Sequence, residues 1–202
     1  MRLPLAALIA LALGGCVSLV PPASKLPPRY TLSPADAPVG GPSYDATLAI
    51  ADARAEGALN TSRIAVLTAP NELRYLRDGE WSDRAPLVFS LLLERSFEAR
   101  EQLLAVSDRV ALPIADYTAY ADISAMHVDR SGEVPVATVR FRLRIEAGRS
   151  RVLGARSFAA TRPVDDATTR AAAQAINVAA AETTREAAAW AMDLIGASEA
   201  GR

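Results

Sequence analysis

Residues 137–145 read Ala-Thr-Val-Arg-Phe-Arg-Leu-Arg-Ile. Ala137, Val139, Phe141, Leu143 and Ile145 alternate without a fault with Thr138, Arg140, Arg142 and Arg144. A period of two sends successive side chains to opposite faces, so this stretch predicts a strand with one face in a core and one in water. Working outward, residues 117–129 form a longer strand candidate, and residues 130–133 (Arg-Ser-Gly-Glu) supply a turn. On the other side residues 148–150 (Gly-Arg-Ser) turn the chain into a third strand over 151–161. Three strands joined by short turns make a sequential antiparallel meander. Arg140, Arg142 and Arg144 then share a face at about 6.6–6.8 Å intervals. They form a basic stripe suited to an acidic partner surface or to lipid headgroups, or simply a solvated outer face.

Two helices flank this sheet in the sequence. Phe89, Leu93 and Phe97 recur at four-residue steps, with Val88 and Leu92 beside them and Glu94, Arg95 and Glu98 opposite. That is an amphipathic helix ending near Arg100, with Asp83 expected as its N-cap and Pro86 in its first turn. Residues 167–195 are alanine-rich, and Ala173, Ile176, Ala180, Thr183, Ala187, Trp190 and Leu194 recur in steps of three and four. Asp165 and Asp166 are the expected cap, Gly196 the expected stop, and the length leaves room for one break. Shorter strands are expected at 30–32, 47–52, 63–67, 72–76 and 103–106. Residues 53–61 read as a gap between strands, and the Asp-Gly pair in 77–80 as a turn. The fold class is therefore α/β of the α+β kind: a single domain whose mixed, mostly antiparallel sheet carries two main helices.

The composition narrows the chemistry. The chain has 202 residues, half of them hydrophobic, and a net charge of −1, which argues against a dedicated nucleic-acid binder. One Cys and one His exclude an intrachain disulfide, a Cys-based zinc site and any site needing two imidazoles. No phosphate-binding glycine loop, His-Glu-x-x-His helix or Gly-x-Ser-x-Gly elbow occurs. His127, within an alternating strand, reads as a half-buried or edge residue. No catalytic residue, metal site or diffusible cofactor is expected.

The first residues concern location. Arg2 and the amino terminus precede an uncharged apolar run over 3–13, then Gly14, Gly15 and Cys16. A cationic start, a short apolar stretch and small residues make an export signal. The run is shorter than the roughly 20 residues of a spanning helix. Leu13-Gly14-Gly15-Cys16 resembles the bacterial lipoprotein box. That resemblance implies cleavage after residue 15 and a covalent lipid on Cys16, an N-acyl group and an S-diacylglycerol. Two or more acyl chains hold a protein stably on a membrane. Val17 stands where an Asp would resemble the inner-membrane retention signal, so the outer membrane, facing the periplasm, is the expected location. Pro21, Pro22, Pro27 and Pro28 give the next segment a linker composition, which extends at about 3.1 Å per residue. The expected organisation is signal peptide 1–15, lipidated and proline-rich tether 16–29, domain 30–196 and tail 197–202.

One segment carries a family resemblance. Asn71, Glu72, Leu73 and Tyr75, then Trp81 opening a helix with Pro86 and Leu87, resemble the pattern of the ABC-type transport auxiliary lipoproteins, of the paraquat-inducible protein C-like type. Tyr30-Thr31-Leu32 after the lipobox and a late helix ending near Trp190 fit the same order. The stretch 58–63 keeps only Leu59 and Arg63 of the family's usual run there. The resemblance implies a small α/β domain, ring assembly in some members, and no catalysis. It implies an outer-membrane partner for a periplasmic MCE-domain protein in an ABC system that moves phospholipids or other hydrophobic molecules. Candidate partner-binding residues are Asn71, Glu72, Tyr75, Trp81, Arg140, Arg142 and Arg144, although the first reading of Trp81 is that it locks the hairpin against the helix. The alternative reading is a lipoprotein regulator of a periplasmic enzyme such as a peptidoglycan synthase.

Overall fold

The structure is a computed structural model that describes residues 27–36, 40–148 and 150–201. In chain order the strands are β1 (Arg29–Tyr30), β2 (Tyr44–Ile50), β3 (Arg54–Ala55), β4 (Arg63–Ala69), β5 (Glu72–Trp81), β6 (Leu103–Asp108), β7 (Tyr117–Asp129), β8 (Val136–Ala147) and β9 (Arg151–Pro163). Helix α1 (Ala85–Glu98) lies between β5 and β6, and helix α2 (Thr169–Ala200) follows β9.

The meander forms as the alternation demands. β7, β8 and β9 pair antiparallel over nearly their whole lengths, with Phe141 opposite Ile123 on one side and Phe158 on the other. The other side of β7 meets three strands in succession, all parallel. β2 pairs at residues 117–119, β3 at 122–123 and β4 at 127–129. Beyond them lie β6, parallel to β2, and the row β4-β5-β1. Both helices cover one face of this sheet. Their core joins Phe89 of α1 to Phe141 (centroids 4.8 Å apart), Phe141 to Phe158 (5.6 Å) and Phe158 to Trp190 of α2 (5.7 Å). Alanines along α2, among them Ala172, Ala179, Ala187 and Ala191, are fully buried and let the helix sit close to the sheet.

Several local expectations are corrected. The Asp-Gly pair makes no hairpin: β5 runs unbroken from Glu72 to Trp81, and the register against β4 jumps from Glu80 to Tyr75. The extra residues form a bulge in which Gly79 has φ 151°, beyond the reach of an L side chain, with Tyr30 and Thr169 packed where a Cβ would stand. The true turn is Pro70-Asn71, where proline's fixed φ and a positive φ of 64° at Asn71 match a type II turn. Asp83 does not cap α1. Arg84 holds the cap position, and the Asp83 carboxylate accepts instead from the Arg84 amide. Thr168, not Asp165 or Asp166, caps α2, its hydroxyl accepting from the Ala171 amide. The helix neither breaks nor stops at Gly196 and takes in residues 197–200 of the expected tail. A Cβ at Gly196 would run into the Tyr44 phenol, so this glycine serves close packing.

The amino-terminal segment is stitched to the sheet. The Glu80 amide donates to the Pro28 carbonyl at 3.1 Å and the Ser82 amide to the Tyr30 carbonyl at 2.7 Å. Leu32 is buried, and the Ser33 amide donates to the Asn177 side-chain carbonyl on α2 at 2.7 Å.

Candidate functional site

The residues singled out in the sequence fall into three places. Leu13, Gly14, Gly15 and Cys16 lie outside the described residues. Asn71, Glu72, Tyr75 and Trp81 all belong to the β4-β5 hairpin but not to one surface. Asn71 and Glu72 are exposed at its tip, and the Arg74 guanidinium donates to Glu72 at 2.6 Å, holding that carboxyl below its ordinary range. Tyr75 is half-buried. Its hydroxyl donates to the Ala58 carbonyl at 3.0 Å, and the Arg63 guanidinium sits 4.2 Å from its ring centroid. The loop over 56–62 is thereby tied down on β5. Trp81 is 1% exposed, which overturns its reading as a docking residue. It sits where β5, β1 and the start of α1 converge, and its indole belongs to the core.

Arg140, Arg142 and Arg144 do share the outer face of β8. Arg140 is exposed between Ala125 and Ala159 on the neighbouring strands. Arg142 is exposed between Asp122 and Ser157. Arg144 is half-buried, with its Nε 2.9 Å from a Glu146 carboxylate oxygen and its guanidinium 4.7 Å from the Tyr120 ring centroid. The stripe is therefore one anchored arginine and two open ones. His127 lies on the same face, half-buried, and burial pushes its imidazole below the ordinary range, with Asp129 pulling the other way and Arg140 adding to the fall. Asp129 is held low by the Ser131 hydroxyl and amide that close the β7-β8 turn.

A feature that sequence reading missed lies at the other end of the sheet. A groove of about 960 Å³ runs between α1 and the loops that follow β2 and β6, and its wall includes Asp52, Arg54, Arg84, Glu94 and Arg109. Ser90 of α1 bridges its floor, its hydroxyl accepting from the Ala53 amide and donating to the Pro86 carbonyl. Glu94 is pushed above the ordinary carboxylate range, first by burial and then by Glu98 and Asp108. These residues come from separate segments that carry no shared motif. Among the described residues no group of three or more His, Cys, Asp or Glu side chains is placed to hold a metal ion, and no helix is long and apolar enough to cross a membrane.

Comparison with known proteins supplies what the side chains leave open. The model of the family described as ABC-type transport auxiliary lipoprotein component matches residues 30–188, from the first stitched strand well into α2. Among solved structures, protein XCC0632 from Xanthomonas campestris, assigned to the family DUF330, is similar with a TM-score of 0.74. The identity is 24%, over 88% of this chain and 99% of that one. A protein described only as uncharacterized is similar at a TM-score of 0.61 and 11% identity, over 79% of this chain and 97% of the other. At such identities the likeness concerns the fold. No curated protein matches the chain.

Proposed function

The chain belongs to the family of ABC-type transport auxiliary lipoprotein components, and on that premise we propose that it is the non-catalytic, lipid-anchored, outer-membrane member of such a system. In this reading Cys16 carries the lipid and residues 17–29 form the spacer. The folded domain docks a periplasmic MCE-domain protein that conducts phospholipids or other hydrophobic molecules. The observation that carries the reading is the way the spacer meets the fold. A lipoprotein that holds a partner must pass any pull on its anchor into a rigid body. Here the chain enters the domain through the Pro28 and Tyr30 carbonyls, the buried Leu32 and the Ser33-Asn177 bond. The attachment thus engages both the sheet and α2, and the family's own matched region begins at residue 30, on that seam.

Affinity purification of the full-length acylated chain from membranes, with mass spectrometry of what accompanies it, tests the proposal. The ATPase, permease and MCE-domain protein of one transport system are expected. Recovery of a peptidoglycan synthase in their place would replace the reading with that of an enzyme regulator. The anchor has its own test. Cys16→Ser is expected to give a folded, unacylated protein in the soluble periplasmic fraction, and persistent membrane association of that variant would contradict lipid anchoring.

A further inference from the structure

Among the described residues the sheet ends on three strands, β1, β6 and β9, and basic charge is gathered beside the last of them. Residues 136–163 hold seven of the chain's 22 basic residues but only one of its 23 acidic ones. This is the β8-β9 hairpin. β9 is thirteen residues long and among the described residues pairs only with β8, so its outward N–H and C=O groups have no strand partner. Edge strands of that length invite another strand unless something blocks them. Charge can block an edge, and β9 itself carries Arg151, Arg156 and Arg162. Arg162, though, pairs with Glu182 of α2 and Arg156 lies over the core Phe158 ring, so these two belong to the helix-covered face. Arg140 and Arg142, however, stand one strand further in, on β8.

The row between them and the edge is small. On the outer face of β9, Ser157 lies beside Arg142 and Ala159 beside Arg140, and both are exposed. An added strand would lie about 4.8 Å beyond β9, hence about 10 Å from β8. A glutamate or aspartate on its outer face and an arginine on β8 are together long enough to meet over that row. The two arginines repeat at about 6.8 Å along β8, the spacing of residues i and i+2 on an extended strand. Neither makes an ion pair among the described residues, whereas Arg144 pairs with Glu146 and Arg162 with Glu182.

Resting on the docking role above, we propose that β9 is the partner-binding edge: it accepts, as an added strand, an extended segment of the system's periplasmic partner with acidic residues two apart. A membrane surface is the other anionic candidate. It is disfavoured because lipid headgroups supply no backbone N–H and C=O groups to pair with the open edge of β9.

Photo-crosslinking in cells tests this. A benzoylphenylalanine placed at Ser157 or Ala159 of the full-length acylated chain is expected to crosslink to the partner. Mass spectrometry should map the adduct to a segment with acidic residues two apart, while the same probe at Gln174 on the exposed side of α2 should not give it. Arg140→Glu with Arg142→Glu is expected to cut the adduct about tenfold, as charge reversal at a complementary interface does. Both arginines are exposed, so the melting temperature should be unchanged. Adducts to lipid, to a second copy of the chain or to a segment without such acids would overturn the proposal. So would indifference to the charge reversal. Absence of adduct while the transport proteins still co-purify would remove this site and leave the docking role standing. Loss of co-purification from the unsubstituted chain would remove both.

Discussion

Strand β7 has two unlike sides. Toward β8 it pairs from Tyr117 to Asp129, antiparallel, with one register shift between Ile123 and Ala125. Toward the other side it is met by three short parallel partners, none sharing more than three positions with it. The first side is built by a six-residue connection, 130–135, and the pleat of one hairpin. The second gathers segments up to about 70 residues distant in sequence and needs α1 and the loops between to hold them in place. Short-range pairing forms at little loop-closure cost, whereas the second side must wait for its long-range contacts. The meander is therefore the platform, and the fanned strands β2, β3 and β4 dock on its edge.

The largest test of that difference is Phe141→Ala. Its ring lies between Phe89 and Phe158 and joins the sheet to both helices through the aromatic chain. The substitution is expected to cost about 3–5 kcal/mol, read by urea denaturation. A loss below about 1 kcal/mol would show that the meander is not the platform. Leu32→Ala comes next. It removes a buried side chain from the strap that ties the tether to α2, and about 2–4 kcal/mol should be lost. Because Leu32 lies on the fanned side, it is expected to speed unfolding with little effect on the folding rate, while Phe141→Ala should slow folding as well. Equal partition of the two losses would erase the distinction.

The same difference explains what could be read in advance. The β7-β8-β9 meander was legible because alternation at 137–145 fixes the inward face and short turns fix the neighbours. Helix α1 was legible from the spacing of Phe89, Leu93 and Phe97. The parallel pairs β2-β7 and β4-β7 leave no local trace, since each strand's pattern says only which face is buried. Gly79 misled for a related reason: Asp-Gly is a good hairpin pair, but a positive φ serves a bulge equally well, and Pro70-Asn71 had already turned the chain. Trp81 misled because a tryptophan between a strand and a helix suits a core or a surface alike, and only the convergence of β1, β5 and α1 decides. The arginine stripe was visible in the sequence, but the free edge beside it depends on β9 being last in the sheet.

A smaller effect is expected at the turn that replaces the Asp-Gly turn. Asn71→Ala forces an alanine to a φ of 64° and should cost about 1 kcal/mol, with Asn71→Gly near neutral. Thermal melts of the two variants compare them directly, and an Ala variant as stable as the Gly one would remove the need for left-handed backbone there.

The smallest effect concerns the groove on the fanned side, where docking brings like charges together. Burial, with Glu98 and Asp108 nearby, raises the Glu94 carboxyl above its unfolded value. A carboxyl raised on folding binds protons more readily in the native state, so the native state loses ground as pH rises. The penalty is absent below the unfolded value, near 4.5, and complete once the pH has passed the raised folded value. Glu94→Gln should therefore stabilise the protein at pH 7 by no more than about 0.5 kcal/mol, since the group is only partly buried and solvent still screens it. Near pH 3.5 the carboxyl is protonated in both states, and the gain should vanish. Urea titrations at the two pH values measure the difference. The reverse sign at pH 7 would mean that Arg95 and the Ser107 hydroxyl, which favour the charged form, outweigh burial.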